Sequence, residues 1–83
     1  RKPYDLAYAN AMRQLARQYP DDLDAVTLFA EALMDTTPWD YWDEQGKPKP
    51  EGAEIMATLE AVLAKDPNHP GANHLYIHAV EKE

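Results

Sequence analysis

The chain of 83 residues contains no cysteine and no serine. Without cysteine there are no disulfides, no thiolate zinc sites and no thiol chemistry, and the redox compartment stays open. Without either nucleophile the common triad arrangements are excluded. The threonines Thr27, Thr36, Thr37 and Thr58 have no obvious base near them in sequence, so no catalytic residue is assigned. Glycine is scarce, and Gly46, Gly52 and Gly71 form no phosphate-cradling loop. Basic residues are outnumbered, eight against fifteen acidic, for a net charge of -7. That balance repels phosphate backbones, and no basic cluster offsets it, so nucleic acid is not an expected partner. No apolar run reaches the length of a membrane span and no signal-peptide pattern appears, so no membrane partner is expected either.

What the chain does have is an internal repeat. Shifted by 47 residues, Tyr8, Met12, Leu15, Ala16, Pro20, Ala25, Leu28, Phe29, Ala32 and Leu33 fall on Ile55, Leu59, Val62, Leu63, Pro67, Ala72, Leu75, Tyr76, Ala79 and Val80. Self-similarity of this length marks a stacked repeat architecture. Spacings of three and four predict a first helix, begun near Pro3 and stopped by Pro20, with Tyr8, Ala11, Met12, Leu15, Ala16 and Tyr19 on its apolar face. Asp21 or Asp22 is placed to cap a second helix over roughly 22–35. That helix is apolar almost all round, as expected of one sandwiched between others. Residues 36–50 break the pattern with Thr36-Thr37-Pro38, Gly46, Pro48 and Pro50. A third helix follows, with Glu51 and Glu54 early and Lys65 late, as the helix dipole favours. Asp66-Pro67 closes it, and Pro70 opens a fourth. His69 reads as a capping residue. The expectation is one all-α domain of four helices. The helical pattern still running at Glu83 reads as a piece of something longer.

Ala30 and Leu33, Leu59, Val62-Leu63 and the closing Asp66-Pro67 resemble the tetratricopeptide repeat, a helix–turn–helix unit of 34 residues. The resemblance implies a right-handed α-solenoid: a full repeat over 23–67, with an inserted loop at 36–50, between half repeats at 3–20 and 70–83. Departures are Val26 and Asn73 at the family's tryptophan position, Ile77 at its small-residue position, and a period 13 residues longer than the usual 34. The run from Asn68 to Glu81, with Pro38-Trp39-Asp40-Tyr41-Trp42, resembles a subgroup of larger bacterial repeat proteins.

In that family the first helix of each repeat lines a concave groove. The resemblance therefore implies a partner-binding surface of Asp24, Thr27, Glu31, Met34 and Asp35 on the second helix, and Gly71, His74, His78, Glu81 and Lys82 on the fourth. A helical wheel places His74, His78 and Glu81 opposite Ala72, Leu75, Tyr76 and Ala79. The equal-position overlay sets His74 over Thr27 and His78 over Glu31. The acidic stripe predicts a protein or peptide partner, preferentially basic. Two alternatives stand beside this one. His74 and His78, four apart, would share a divalent metal such as zinc if Glu31 or another acid completed the set, although two histidines alone define no site. The apolar side of the fourth helix would stack another repeat or self-associate.

Trp39, Tyr41 and Trp42 lie within four positions. They form either the rim of a recognition surface or the staple by which the insertion folds back on the repeat. The staple is the favoured reading, because indole rings left in water are unusual.

Overall fold

The computed structural model describes residues 3–36 and 41–81. Among them are four helices and no strand: α1 (Pro3–Gln18), α2 (Leu23–Thr36), α3 (Pro50–Lys65) and α4 (Pro70–Val80). The helix boundaries follow the local chemistry. Asp22 Oδ1 accepts the Ala25 amide at the start of α2, leaving Asp21 free to meet Lys65 Nζ at 2.6 Å. Pro50 and Pro70 stand at the first positions of α3 and α4, where a missing N–H costs nothing and the fixed φ suits the helix.

Helix α2 lies at the centre, packed against α1, α3 and α4, while α3 also packs on α4. The shortest extent of the chain is 16 Å. Two helix layers, with axes 8–10 Å apart and Cα radii near 2.3 Å, would measure about 13–15 Å. The arrangement is thus two layers deep. Helices consecutive in the chain alternate in direction, so that α2 and α4 run parallel: Lys65, ending α3, reaches Pro20 O and Asp21 at the start of α2, and the N-termini of α2 and α4 meet through Asp24 and His69.

The core runs from Ala9, Met12 and Ala16 through Phe29, Ala30, Ala32 and Leu33 to Ile55, Leu59, Val62, Ala72 and Ala79. Alanines on three of the four helices allow close approach, and Ile55, Leu59 and Val62 of α3 are its largest fully buried side chains. The expected apolar face of α1 is split. Met12 and Ala16 are buried with Ala9, whereas Tyr8, Leu15 and Tyr19 are exposed. The reason is that α1 packs mainly on α2 and buries the flank turned to it.

The 47-residue shift is visible in contacts as well as in letters. Asp22 caps α2 through Ala25 N, and His69, 47 residues on, caps α4 through Ala72 N. Arg13 of α1 lies over the Phe29 ring, 5.2 Å from its centroid. Their counterparts Glu60 and Tyr76 meet across α3 and α4 at 2.6 Å. Arg13 also forks onto Glu54, with Nε and an Nη each 2.9 Å from a carboxylate oxygen. A bidentate pair of this kind fixes geometry as well as charge, and here it ties α1 to α3.

Phe29 is buried beneath that fork, and its replacement by alanine should cost about 3–5 kcal/mol. For so small a domain that is a large part of total stability. Chemical denaturation followed by circular dichroism measures it, and an unshifted midpoint would place the core elsewhere. Gly52 makes a sharper test. A Cβ there would lie 2.5 Å from Tyr41 O and 2.9 Å from Tyr41 Cβ. Alanine favours helix by about 1 kcal/mol, but overpacking against backbone costs about 1–3 kcal/mol. Gly52→Ala should therefore melt below the parent despite the better helix propensity.

Candidate functional site

The periodicity of α2 divides its surface into four sides. Phe29 faces α1, beneath Arg13, and Thr27 faces α4, where a Cβ on Gly71 would lie 3.5 Å from Thr27 Cγ2. Ala30 and Leu33 lie between these two, toward α3. Among the described residues no helix covers the fourth side, which carries Asp24, Leu28, Glu31 and Asp35, all exposed. Their spacing of four, three and four makes one continuous stripe. Three carboxylates there surround a single large apolar side chain. Leu28 was not among the residues expected at this surface, yet it lies in the same helical register as Asp24 and Glu31. Periodicity alone would have found it.

The remaining expected groove residues fall out unevenly. Thr27 is buried, and its hydroxyl donates to Leu23 O at 2.7 Å. It belongs to the α2–α4 seam and offers nothing to a ligand. Its neighbour there is Gly71, one turn before the His74 of the equal-position overlay, because α4 is stepped along α2. Met34 is half-buried beside the open stripe. His74 and His78 are exposed on α4, whereas Glu81, expected on the same helix, follows its end in extended backbone and is also exposed; Lys82 and Trp39 lie outside the described residues.

The two histidines stand edge to face with ring centroids 4.7 Å apart. His78 Nδ1 is 3.6 Å from Glu81 Oε1. Among the described residues no group of three His, Cys, Asp or Glu side chains converges as a metal site would require. Glu31 therefore does not complete a set with His74 and His78. The reason is geometric: helical spacing brings the two rings together but leaves Glu31 on the open side of α2.

His69 joins the two parallel helices. Its Nδ1 accepts the Ala72 amide at 3.1 Å, so the ring proton must sit on Nε2, which donates to Asp24 Oδ1 at 2.8 Å. The imidazole caps α4 and at the same time holds Asp24 at the head of the stripe. Sequence reasoning found the cap; the reach to Asp24 depends on packing between helices.

The insertion works mainly as a staple. Tyr41 is buried, so it forms no recognition rim. Its hydroxyl points to Met34 O in the last turn of α2, at a long 3.4 Å, and burial, with the nearby Asp35 charge, pushes its pKa up. Trp42 is half-buried and directs Nε1 to Ala79 O in the last turn of α4, at 3.3 Å. Terminal helix carbonyls lack intrahelical partners, and the insertion supplies one to each helix. Its turn is closed by Asp43, whose Oδ1 accepts the Gln45 and Lys47 amides at 2.9 Å, and by Gly46 at φ 81°. Trp42, Asp43, Glu44, Gln45 and Lys49 line a shallow, open depression on its outer side.

Comparison of the chain with protein-family models, with curated proteins and with solved structures gives no match in any of the three. The geometry alone therefore carries the functional argument.

Removing the His69 cap should cost about 1 kcal/mol, or roughly 4–8 °C in melting temperature for a domain of this size. His69→Asn, which can cap but cannot reach Asp24, should recover most of that loss relative to His69→Ala. Equal melting of all three proteins would show that the imidazole contributes no cap.

Proposed function

We propose that the chain is a tetratricopeptide-type interaction module that binds a basic peptide or protein segment along the open side of α2. The observation that carries this reading is the exposed line Asp24, Leu28, Glu31 and Asp35 on a helix whose other three sides are occupied. A buried helix presents carboxylates on a rigid support, so little ordering is needed when a ligand arrives. The repeat reading is supported by the two-layer arrangement and by the 47-residue recurrence of the N-cap and cross-helix contacts. A net charge of -7 would attract lysine- or arginine-bearing segments, and Leu28 would take one apolar side chain among them.

Binding of this kind is electrostatic at its margins and apolar at one point. Affinity for a lysine-rich peptide containing a single leucine should fall with added salt. Glu31→Lys with Asp35→Lys should weaken it by about 1–2 kcal/mol, roughly 5- to 30-fold, if each carboxylate contributes near the upper range of an exposed pair. Fluorescence anisotropy with labelled peptides measures both effects. Undiminished binding by the double variant would place the partner surface elsewhere.

A further inference from the structure

We infer that the chain associates head to tail with a second copy of itself, α4 of one molecule packing against α1 of the next to complete a repeat in trans. The inference rests on the 47-residue equivalence and is independent of what the open side of α2 binds.

Within the chain, Ala30 and Leu33 of α2 are buried, 0% and 4% exposed, on the side facing α3. Ile55 and Val62 of α3 are buried in the same cluster, at 0% and 1%. Each of these four has a counterpart 47 residues away. Ile77 and Val80 of α4 correspond to Ala30 and Leu33, yet they are 59% and 38% exposed. Tyr8 and Leu15 of α1 correspond to Ile55 and Val62, yet they are 54% and 39% exposed. The interface between α2 and α3 therefore has its two halves repeated on the surface, one on α4 and the other on α1.

What covers such faces is shown by the chain itself: an α2-type helix takes an α3-type helix. Helix α4 is of the first type, by its cap and its Tyr76 contact, and α1 is of the second, by its Arg13 contact. Among the described residues, charge beside the two stripes is sparse, confined to Glu81 just past α4 and Asp5 in the first turn of α1. Ala11 and Gln18 flank the α1 stripe, and Asn73 lies beside Ile77 on α4. Because the two surfaces differ, the contact is heterologous, and it extends into open chains unless the rotation happens to close.

The test uses the whole chain in sedimentation velocity across a wide dilution series. The weight-average mass should rise with concentration from the monomer value of 9.4 kDa to at least twice that. Tyr8→Lys, on α1, and Ile77→Lys, on α4, should each remain monomeric alone. Mixed together they should form a dimer and nothing larger, since one intact face of each kind remains. A parent that stays monomeric overturns the proposal, as does a mixture that stays monomeric. So does an Ile77→Lys protein that still dimerises, which would mean α1 meets α1, or a Tyr8→Lys protein that does, which would mean α4 meets α4. Leu15→Lys and Val80→Lys provide a second pair if a far-ultraviolet spectrum shows that either first variant has not folded.

Discussion

Helix α2 must satisfy three neighbours at once, and most of the structure follows from how it does so. Fourteen residues provide one face for Phe29 under α1, one for Ala30 and Leu33 against α3, and one for Thr27 against α4. Small side chains make this possible, because Ala25, Ala30 and Ala32 let adjacent helices approach closely. Burial on three sides leaves a narrow fourth, and only there can exposed carboxylates stand without desolvation cost. The stripe of Asp24, Glu31 and Asp35 is in this sense a consequence of packing.

The two halves of the chain repeat geometry while changing chemistry. A carboxylate caps α2 and an imidazole caps α4, each accepting the same amide position. A guanidinium over an aromatic face joins α1 to α2, and a phenol donating to a carboxylate joins α3 to α4. The hydrogen bond to Glu60 raises the pKa of Tyr76 and so keeps the phenol a donor. Glu54 and Lys65 then act across the repeat. Lys65 lowers the pKa of Asp21 in the folded chain through their hydrogen bond. The sign follows: this contribution is present above the unfolded carboxylate value and is lost as pH falls through the lowered folded one. Both groups are exposed, so its size is small.

Helix count, the first three helices' boundaries within a residue or two, and the central place of α2 were readable from periodicity, prolines and caps; the fourth helix, expected to run on at Glu83, stops at Val80 with Glu81 in extended backbone. These are local signals, and each needs only a few neighbouring residues to act. The exposure of Tyr8, Leu15 and Tyr19 was not readable, since it depends on how many helices pack on α1. The burial of Thr27 was missed for a related reason. Helical register fixes the side of α2 on which it lies, but the step between α2 and α4 decides whether that side is covered. Tyr41 and Trp42 fold back as the favoured reading of the insertion expected, and the helix carbonyls they meet could be named only from the structure. His74 and His78 do sit together, as their spacing dictates, and spacing within one helix says nothing about a third ligand on another.

The placement of the stripe also bears on how a binding experiment can be interpreted. In a stack where each helix contacts only its neighbours, stability is roughly a sum of local terms, lowest at the ends. Helix α1 packs on α2 and reaches α3 through the Arg13–Glu54 pair, and α4 packs on α2 and α3, while α2 packs on all three of the others. A ligand on α2 thus meets the part of the chain held by the most interfaces, whereas one on α1 or α4 would meet the parts that open first. Lysines introduced at Glu31 and Asp35 project into solvent from this firm support and disturb no packing. A change in affinity on their introduction reports charge at the surface and not loss of the fold beneath it.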